Sequence, residues 1–402
     1  MLEGIELKQA IELLLENAQP VQTTEIKGLL EALSRIAAQD VIAPIDNPPF
    51  DRSPLDGYAL FAEDSIGASR EKPVELKVVG KLFAGDSSNI VLKPHEAVRI
   101  MTGAMIPTGA NCVIRQESTN YSEDLVEIYE LLKAYQNYCY TGEDFKKGTK
   151  LISKGEKLNF VHLALLASMG YPTVMVYKQL KVALLVTGDE LVPPGGALPK
   201  GKIFNSNLFL IAGRLKELSI TPVYLQQCGD DVGIVIQKLQ QAVAVADLVI
   251  TTGGVSVGEK DIFHEVLPKL GADQKFWKVN IKPGTPAMFS TYLDKPILNL
   301  SGNPFAALAT FELLARPMLG KMSRDHSMLT TTAAAVMEND FSKKSKGKRF
   351  IRAVYENGKV RFPEGGHASG MVASMKDCNC LIEIEPGNNS NKKGSTVNIS
   401  VL

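Results

Sequence analysis

Three glycine-bearing loops, each set behind an apolar run, constrain this chain more than any other feature: Thr251-Thr252-Gly253-Gly254-Val255-Ser256-Val257-Gly258-Glu259-Lys260-Asp261, Lys282-Pro283-Gly284 and Ser301-Gly302-Asn303-Pro304. The run Ala246 to Ile250 reads as a buried strand. Paired glycines just beyond it let backbone N–H groups approach an oxygen-rich ligand before the next helix begins, so a phosphate or another oxyanion is the expected guest. Asp261 adds a carboxylate to this anion-seeking loop, an arrangement that calls for a divalent cation or a cationic ligand group between them. Around the loops, strands and helices alternate from Lys181 to Leu319: Val182 to Val186, Asn205 to Leu218, Pro222 to Gln226, Val232 to Val245, Ala246 to Ile250. That order predicts a doubly wound, mostly parallel sheet. Ligands of such sheets bind beyond the carboxyl ends of the strands, where Thr187-Gly188-Asp189-Glu190, Gly253-Gly254 and Ser301-Gly302-Asn303 are expected to emerge.

The remainder predicts further domains, as 402 residues require. Ile5, Leu7, Ile11, Leu14 and Leu15, then Leu29, Leu30, Leu33, Ile36 and Ala37, repeat at helical spacing and predict two opening amphipathic helices. Short apolar runs cut by Pro, Gly, Asp and Asn from Val41 to Glu130 predict a β-rich module. Asn159 before Val161, Ala164, Leu165, Ala167 and Met169, with Gly170 behind, reads as a capped helix that packs on the opening pair. Past Arg316-Pro317 the alternation through Arg349 to Val354, Lys359 to Phe362 and Leu381 to Glu385 predicts a small β-barrel or sandwich. The expected domains are therefore 1–45 with 147–178 (helical and mixed), 46–146 (β-rich), 179–327 (doubly wound) and 328–402 (small β-barrel).

Lys plus Arg equals Asp plus Glu at 44 each, leaving no global field to draw nucleic acid or an anionic membrane. Five scattered cysteines form no zinc pattern, and Cys378-Asn379-Cys380 reads as packing, so a reducing cytoplasm is the expected home. Glu3, Glu6 and Lys8 break any signal or membrane-spanning run at the start.

Any one glycine turn is more often steric than ligand-binding; their joint occurrence favours a site. Beside Asp261, Glu190 becomes a candidate metal ligand, although loop acids usually cap helices or face solvent. Asp231 reads as the N-cap of the helix from Val232, which leaves Asp230 as the functional acid of the pair. Lys278 and Lys282, four apart around a strand, are expected to project to one side and hold an anion, with solvation the blander role for Lys278. In the β-rich module, Asp56 before Gly57 and Thr102 before Gly103 each pair a functional side chain with a glycine. The histidines form no close pair, and His162 falls in a helix pattern that suggests a core role.

The stretches PPFDRSPLDGYA, RIMTGAMIPTGANCVIRQE, GEDFKKG, TGDEL, TTGGVSVGEKD, WKVNIKPGTP and SGNPFAALATFELLARP, in this order, resemble the MoeA-type molybdopterin molybdenumtransferases and the related E domain of gephyrin. The resemblance covers nearly the whole chain. It implies an α/β multidomain fold with a doubly wound, MogA-like domain, and an enzyme that takes molybdate and adenylylated molybdopterin, releases AMP and leaves molybdenum cofactor. It implies Mg2+ as helper ion, and a homodimer whose cleft joins the doubly wound domain of one subunit to the β-rich and C-terminal modules of the other. Molybdopterin adenylyltransferase and molybdoenzyme clients are the implied partners. By motif, the functional positions fall on Asp56, Thr102, Asp144, Glu190, Asp230, Asp261, Lys278, Lys282, Arg352 and Ser369. In this scheme Gly253, Gly254, Ser256, Gly258, Gly302, Asn303 and Pro304 hold phosphates, and Glu190, Asp230 and Asp261 position the metal. Lys278, Lys282, Arg352 and Ser369 take the oxyanion. Cys139 stands where the family often has arginine, Ser301 where it often has proline, and Thr285 where it often has lysine. Three alternatives remain: a molybdopterin adenylyltransferase, which needs neither the β-rich insert nor the tail, a catalytically weak gephyrin-like scaffold, and an insertase that prefers tungstate.

Overall fold

The computed structural model describes residues 1–87, 89–255, 261–343, 347–365, 368–387 and 391–402. Its helices are α1 Leu7–Glu16, α2 Phe160–Ser168, α3 Ser206–Glu217, α4 Val232–Val245, α5 Phe263–Leu270, α6 Pro304–Thr310 and α7 Arg316–Ser323. The chain divides into two units: Met1–Glu25 with Ser34–Ile36 and Tyr177–Leu402, and Ile26–Leu33 with Ala37–Val176.

The first unit is built on a seven-stranded sheet in the order Leu2–Ile5, Asp273–Val279, Met288–Tyr292, Lys295–Leu300, Leu248–Thr252, Val182–Thr187, Tyr224–Cys228. Met288–Tyr292 runs antiparallel to both its neighbours, while the other pairings are parallel. Successive residues of a strand point to opposite faces. Accordingly Val182, Leu184 and Val186 enter a core with Ile211 and Leu215 of α3, whereas Ala183 and Leu185 enter one with Val235 and Leu239 of α4 and Phe263 and Val266 of α5. Burial on both faces explains why the strand reads as one unbroken apolar run. The doubly wound expectation holds.

Helix α1 forms as its spacing predicts, but it buries Ala10 and Leu14 in the sheet's core, and the strand before it pairs with Asp273–Val279. The opening segment thus joins the unit of the parallel sheet. The second opening helix does not form: only Leu30–Ala32 makes a short 3-10 turn, with Leu30 and Leu33 exposed. Apolar spacing without a cap or enough length to repay nucleation leaves the backbone free to follow other contacts.

A five-stranded barrel follows in the same unit. Thr331–Met337 pairs with Thr396–Val401, then Cys380–Ile384, Lys348–Glu356 and Lys359–Arg361, which returns to Thr331–Met337 and closes the ring. Ile351 and Ala353 point into the barrel with Ile382 and Ile399, while Phe350 points outward into the sheet domain's core. Between α6 and α7, Phe311–Ala315 is a π-helical turn carrying the fully buried Glu312. Its carboxylate accepts from Arg214 Nε at 2.6 Å and Arg316 Nη1 at 2.9 Å, and Arg316 Nε donates to the Met328 carbonyl.

In the second unit, a five-stranded sheet orders Cys112–Arg115, Gly57–Leu60, Glu96–Ile100, Val74–Leu82, Leu125–Ile128, in agreement with the β-rich reading. Helix α2 starts where expected: the Asn159 side chain accepts from the N–H groups of Val161 and His162, and His162 Nδ1 accepts from Asn159 N–H at 3.1 Å. His162 is thus a capping residue, not a core one. Leu163 and Leu166 share a core with Ala32, Ala37 and Val41.

Glu312→Ala would leave the buried Arg316 without its carboxylate. The expected loss is about 3–5 kcal/mol of stability, read by chemical denaturation; a loss under about 1 kcal/mol would show that the pair does not anchor this turn.

Candidate active site

A cleft of about 1140 Å3 opens beyond the carboxyl ends of the first unit's parallel strands and runs to the outer side of the barrel. Its middle is made by glycine turns that touch. Gly253 has φ +95°, and a Cβ there would fall 2.2 Å from the Thr187 carbonyl; one at Gly302 would lie 3.4 Å from the Gly253 Cα. Only glycine permits both the left-handed backbone and that approach. Gly253, Gly254, Gly302, Asn303 and Pro304 all line the cleft, as the sequence placed them. Ser256 and Gly258 lie outside the described residues.

Strand order spreads the charges. Glu190 follows Val182–Thr187 and Asp230 follows Tyr224–Cys228, the two strands at one edge of the sheet. Asp189 and Asp230 lock these loops together, Asp230 N–H donating to Asp189 Oδ1 at 3.0 Å and Asp189 N–H to Asp230 Oδ2 at 3.2 Å. Asp231 caps α4 by accepting from Ile234 N–H at 2.8 Å, which separates the two acids as expected. Asp261 lines the same cleft from the start of α5.

The cations gather on the other side, around α6. Arg352 points outward from its barrel strand, is 1% exposed, stacks 4.4 Å above the Phe305 ring and donates to the Ala368 carbonyl at 3.1 Å. Burial draws its pKa down, against the nearby Cys378 thiol acting the other way. The Ser369 carbonyl accepts from Phe305 N–H at 2.9 Å, so Ser369 meets the start of α6. Lys282 reaches the cleft from Ile281–Lys282, which pairs with Lys348 and Arg349 of the barrel.

Lys278 does not join Lys282. Its backbone has φ +64°, which breaks the alternation of an extended strand, and its ammonium pairs with Glu3 at 2.8 Å over the Trp277 ring. The expectation that both lysines face one side is therefore corrected.

No group of three His, Cys, Asp or Glu side chains among the described residues comes close enough to hold a metal ion. Glu190, Asp230 and Asp261 share the cleft without forming a closed cage. Such a spread set of carboxylates would fit a hard divalent cation that keeps part of its water and takes its remaining oxygens from elsewhere.

Asp56, Thr102 and Asp144 belong to the second unit. Gly57 pairs with Ile100 across antiparallel strands, which brings Asp56 beside the turn after Ile100. There Asp56 Oδ1 accepts from Thr102 N–H and from its hydroxyl, both at 2.7 Å. A Cβ on Gly57 would fall 1.8 Å from the Ile114 carbonyl, so close strand approach demands this glycine. Asp144 Oδ2 accepts from Asn47 Nδ2 at 2.8 Å.

Other residues of the cleft were not singled out by sequence: Thr187, Asn207, Thr252, Lys343 and Arg349. Arg349 reaches the cleft beside Lys282, its partner across the adjoining strand, a long-range pairing that sequence spacing does not display. Asn207 follows the helix cap Asn205, whose side chain accepts from Leu208 N–H, and reads as an ordinary first-turn residue.

Family models match three stretches: the MoeA N-terminal region (domain I and II) over residues 5–170, a probable molybdopterin binding domain over 183–321 and the MoeA C-terminal region (domain IV) over 334–402. A molybdopterin molybdenumtransferase of Haemophilus influenzae is 38% identical over 399 residues, covering 98% of this chain and 97% of that protein. One of Bacillus subtilis is 37% identical over 386 residues, covering 94% and 90%. The crystal structure of a molybdopterin biosynthesis MoeA protein from Pyrococcus horikoshii is similar with a TM-score of 0.83 at 30% identity, covering 99% of this chain and 100% of that one.

The bonds from the Thr102 N–H and then its hydroxyl hold the Asp56 carboxyl below its ordinary value of 3.8. A depressed folded value stabilises the fold above the unfolded pKa and is lost as pH falls through the folded one. Thr102→Val keeps the N–H bond and removes the other, so the Asp56 titration followed by NMR should move upward toward 3.8; an unmoved titration would show that the hydroxyl contributes nothing.

Proposed function

The chain belongs to the MoeA family of molybdopterin molybdenumtransferases, enzymes of molybdenum cofactor biosynthesis, and from that premise we propose how its own residues divide the work. The substrates in this reading are adenylylated molybdopterin and molybdate, and the products are molybdenum cofactor and AMP. The observation that carries it is that touching glycine turns, the acids Glu190, Asp230 and Asp261, and the cations Lys282 and Arg352 all line one cleft. At about 1140 Å3 the cleft exceeds the range usual for small ligands, in keeping with a pterin joined to a nucleotide.

Gly254, Gly302 and the Asn303-Pro304 turn take the phosphates, whose oxygens accept from backbone N–H groups, while Gly253, whose own N–H donates to the Leu300 carbonyl, shapes the turn. Lys282, Arg352 and Ser369 take molybdate. A doubly charged oxyanion leaves water at a large desolvation cost, and charge-assisted hydrogen bonds offset it. Arg352 is suited to this because it is already desolvated over Phe305. Magnesium, held by Glu190, Asp230 and Asp261 together with phosphate oxygens, would neutralise charge at the pyrophosphate. Lys278 has no part in this scheme, since Glu3 holds it.

Asp56, Thr102 and Asp144 enter the proposed machinery through a second copy of the chain. Support for a homodimer comes from large apolar side chains left uncovered on the second unit: Leu30 is 87% exposed, Phe160 78% and Ile26 65%. Cytoplasmic residence is proposed on the five cysteines standing as free thiols. Molybdopterin adenylyltransferase, as supplier, and molybdoenzymes, as recipients, are the proposed partners. No helix among the described residues is long and apolar enough to cross a membrane.

The test is AMP release from purified protein given adenylylated molybdopterin and magnesium, with molybdate, with tungstate and with neither. Oxyanion-dependent release is expected, and Asp261→Asn should lower it about a hundredfold or more in a folded protein. A folded wild type that binds the nucleotide and releases no AMP would favour a scaffold, and full release by Asp261→Asn would remove Asp261 from the metal site.

A further inference from the structure

Three buried polar atoms on the cleft's central loops have no hydrogen-bond partner among the described residues: Thr187 Oγ1, Thr252 Oγ1 and Asn207 Oδ1. Their residues all line the cleft, on segments that adjoin one another. Thr187 Oγ1 lies 3.1 Å from where a Cβ on Gly253 would be and 3.2 Å from one on Gly254; Gly302 packs on Gly253; and Asn207 Nδ2 donates to the Gly302 carbonyl at 2.7 Å. That last bond fixes the amide's orientation, because only the nitrogen can donate to a carbonyl, and so it turns Oδ1 the other way as an acceptor. Neighbouring Asn205 shows the contrast: its amide donates to Gln227 and its oxygen accepts from Leu208 N–H, so both ends are engaged. Buried polar groups are normally paired, and an orphan left in a native structure signals strain or a missing partner. Three orphans lining one cleft point to a shared ligand.

We propose that Thr187, Thr252 and Asn207 form an uncharged recognition floor for the amine-bearing edge of a flat nitrogen heterocycle in the substrate. The inference rests on the reading of the cleft as the site for adenylylated molybdopterin. Asn207 Oδ1 offers only an acceptor, which selects an N–H or NH2 donor. Each threonine hydroxyl can donate or accept, which suits the alternating ring nitrogens and amines of such a heterocycle. No charge is involved, so these residues discriminate by hydrogen-bond pattern, and a ring lacking the donor would leave Oδ1 buried and unpaired. Both the pterin and the adenine of the substrate carry this chemistry.

The test separates a ligand contact from a structural one. Thr187→Val and Thr252→Val remove hydroxyls that no protein group uses while keeping shape, so each variant should melt at the same temperature as wild type or higher. Binding should weaken by about tenfold for each, measured by calorimetry with two probes, AMP and molybdopterin. Loss confined to molybdopterin assigns the floor to the pterin, loss confined to AMP assigns it to the adenine, and either supports the proposal. A lowered melting temperature with both affinities unchanged overturns it and makes the hydroxyls structural. A wild type that binds neither probe overturns the reading of the cleft as well. Asn207→Ala should weaken binding too, but its lost bond to Gly302 makes it the secondary variant.

Discussion

Burial of the central strands on both faces governs the first unit. Because Val182–Thr187 feeds alternate side chains into two separate cores, neither face is open to a ligand. Chemistry is thereby pushed to the one place where the backbone leaves the sheet with its polar groups unspent, the carboxyl ends of the strands. The order of strands then does the rest. Each loop's position along that edge is set by which strand it follows, so the distribution of charge across the cleft is a property of topology before it is one of side-chain choice.

That distribution is what the proposed function draws on to treat two kinds of anion in one cleft. Glu190 and Asp230 follow the two strands at one edge, Asp261 follows the interior strand Leu248–Thr252, and Arg352 stacks on Phe305 of α6; in the proposed scheme the acids serve the phosphate ester through a cation and the cations serve the free oxyanion. The glycine turns carry no charge and, in the same scheme, hold ligand through backbone N–H groups. Placing acids and bases together would have let them pair with each other and leave less for a ligand, as the buried Glu312 does with Arg214 and Arg316.

Much of this was legible in the sequence because it depends on short-range patterns. The apolar runs, the Asn159 and Asp231 caps and the Gly253-Gly254 turn each follow from local physics. What the sequence concealed depends on distant partners. Helical spacing over Leu29 to Ala37 is genuine, yet the segment packs on α2 through Ala32 and Ala37 without forming a helix. Lys278 looked equivalent to Lys282 until a left-handed backbone at Lys278 and a carboxylate at Glu3, 275 residues away, took it elsewhere. Asn207 was hidden because its significance lies in one unused atom, which no composition or spacing displays.

Arg352 belongs to a barrel strand whose neighbours Ile351 and Ala353 face inward, and the strand is paired on both sides within a closed ring. Closure ties every residue's facing to every other, so the guanidinium cannot be moved by adjusting one hairpin. A slip of one position would exchange a charge for an aliphatic core residue and be rejected by the whole ring. Variation in this part of the cleft is thus restricted to substitution in place: evolution can change which side chain stands at 352, but insertions and deletions must be absorbed in the loops.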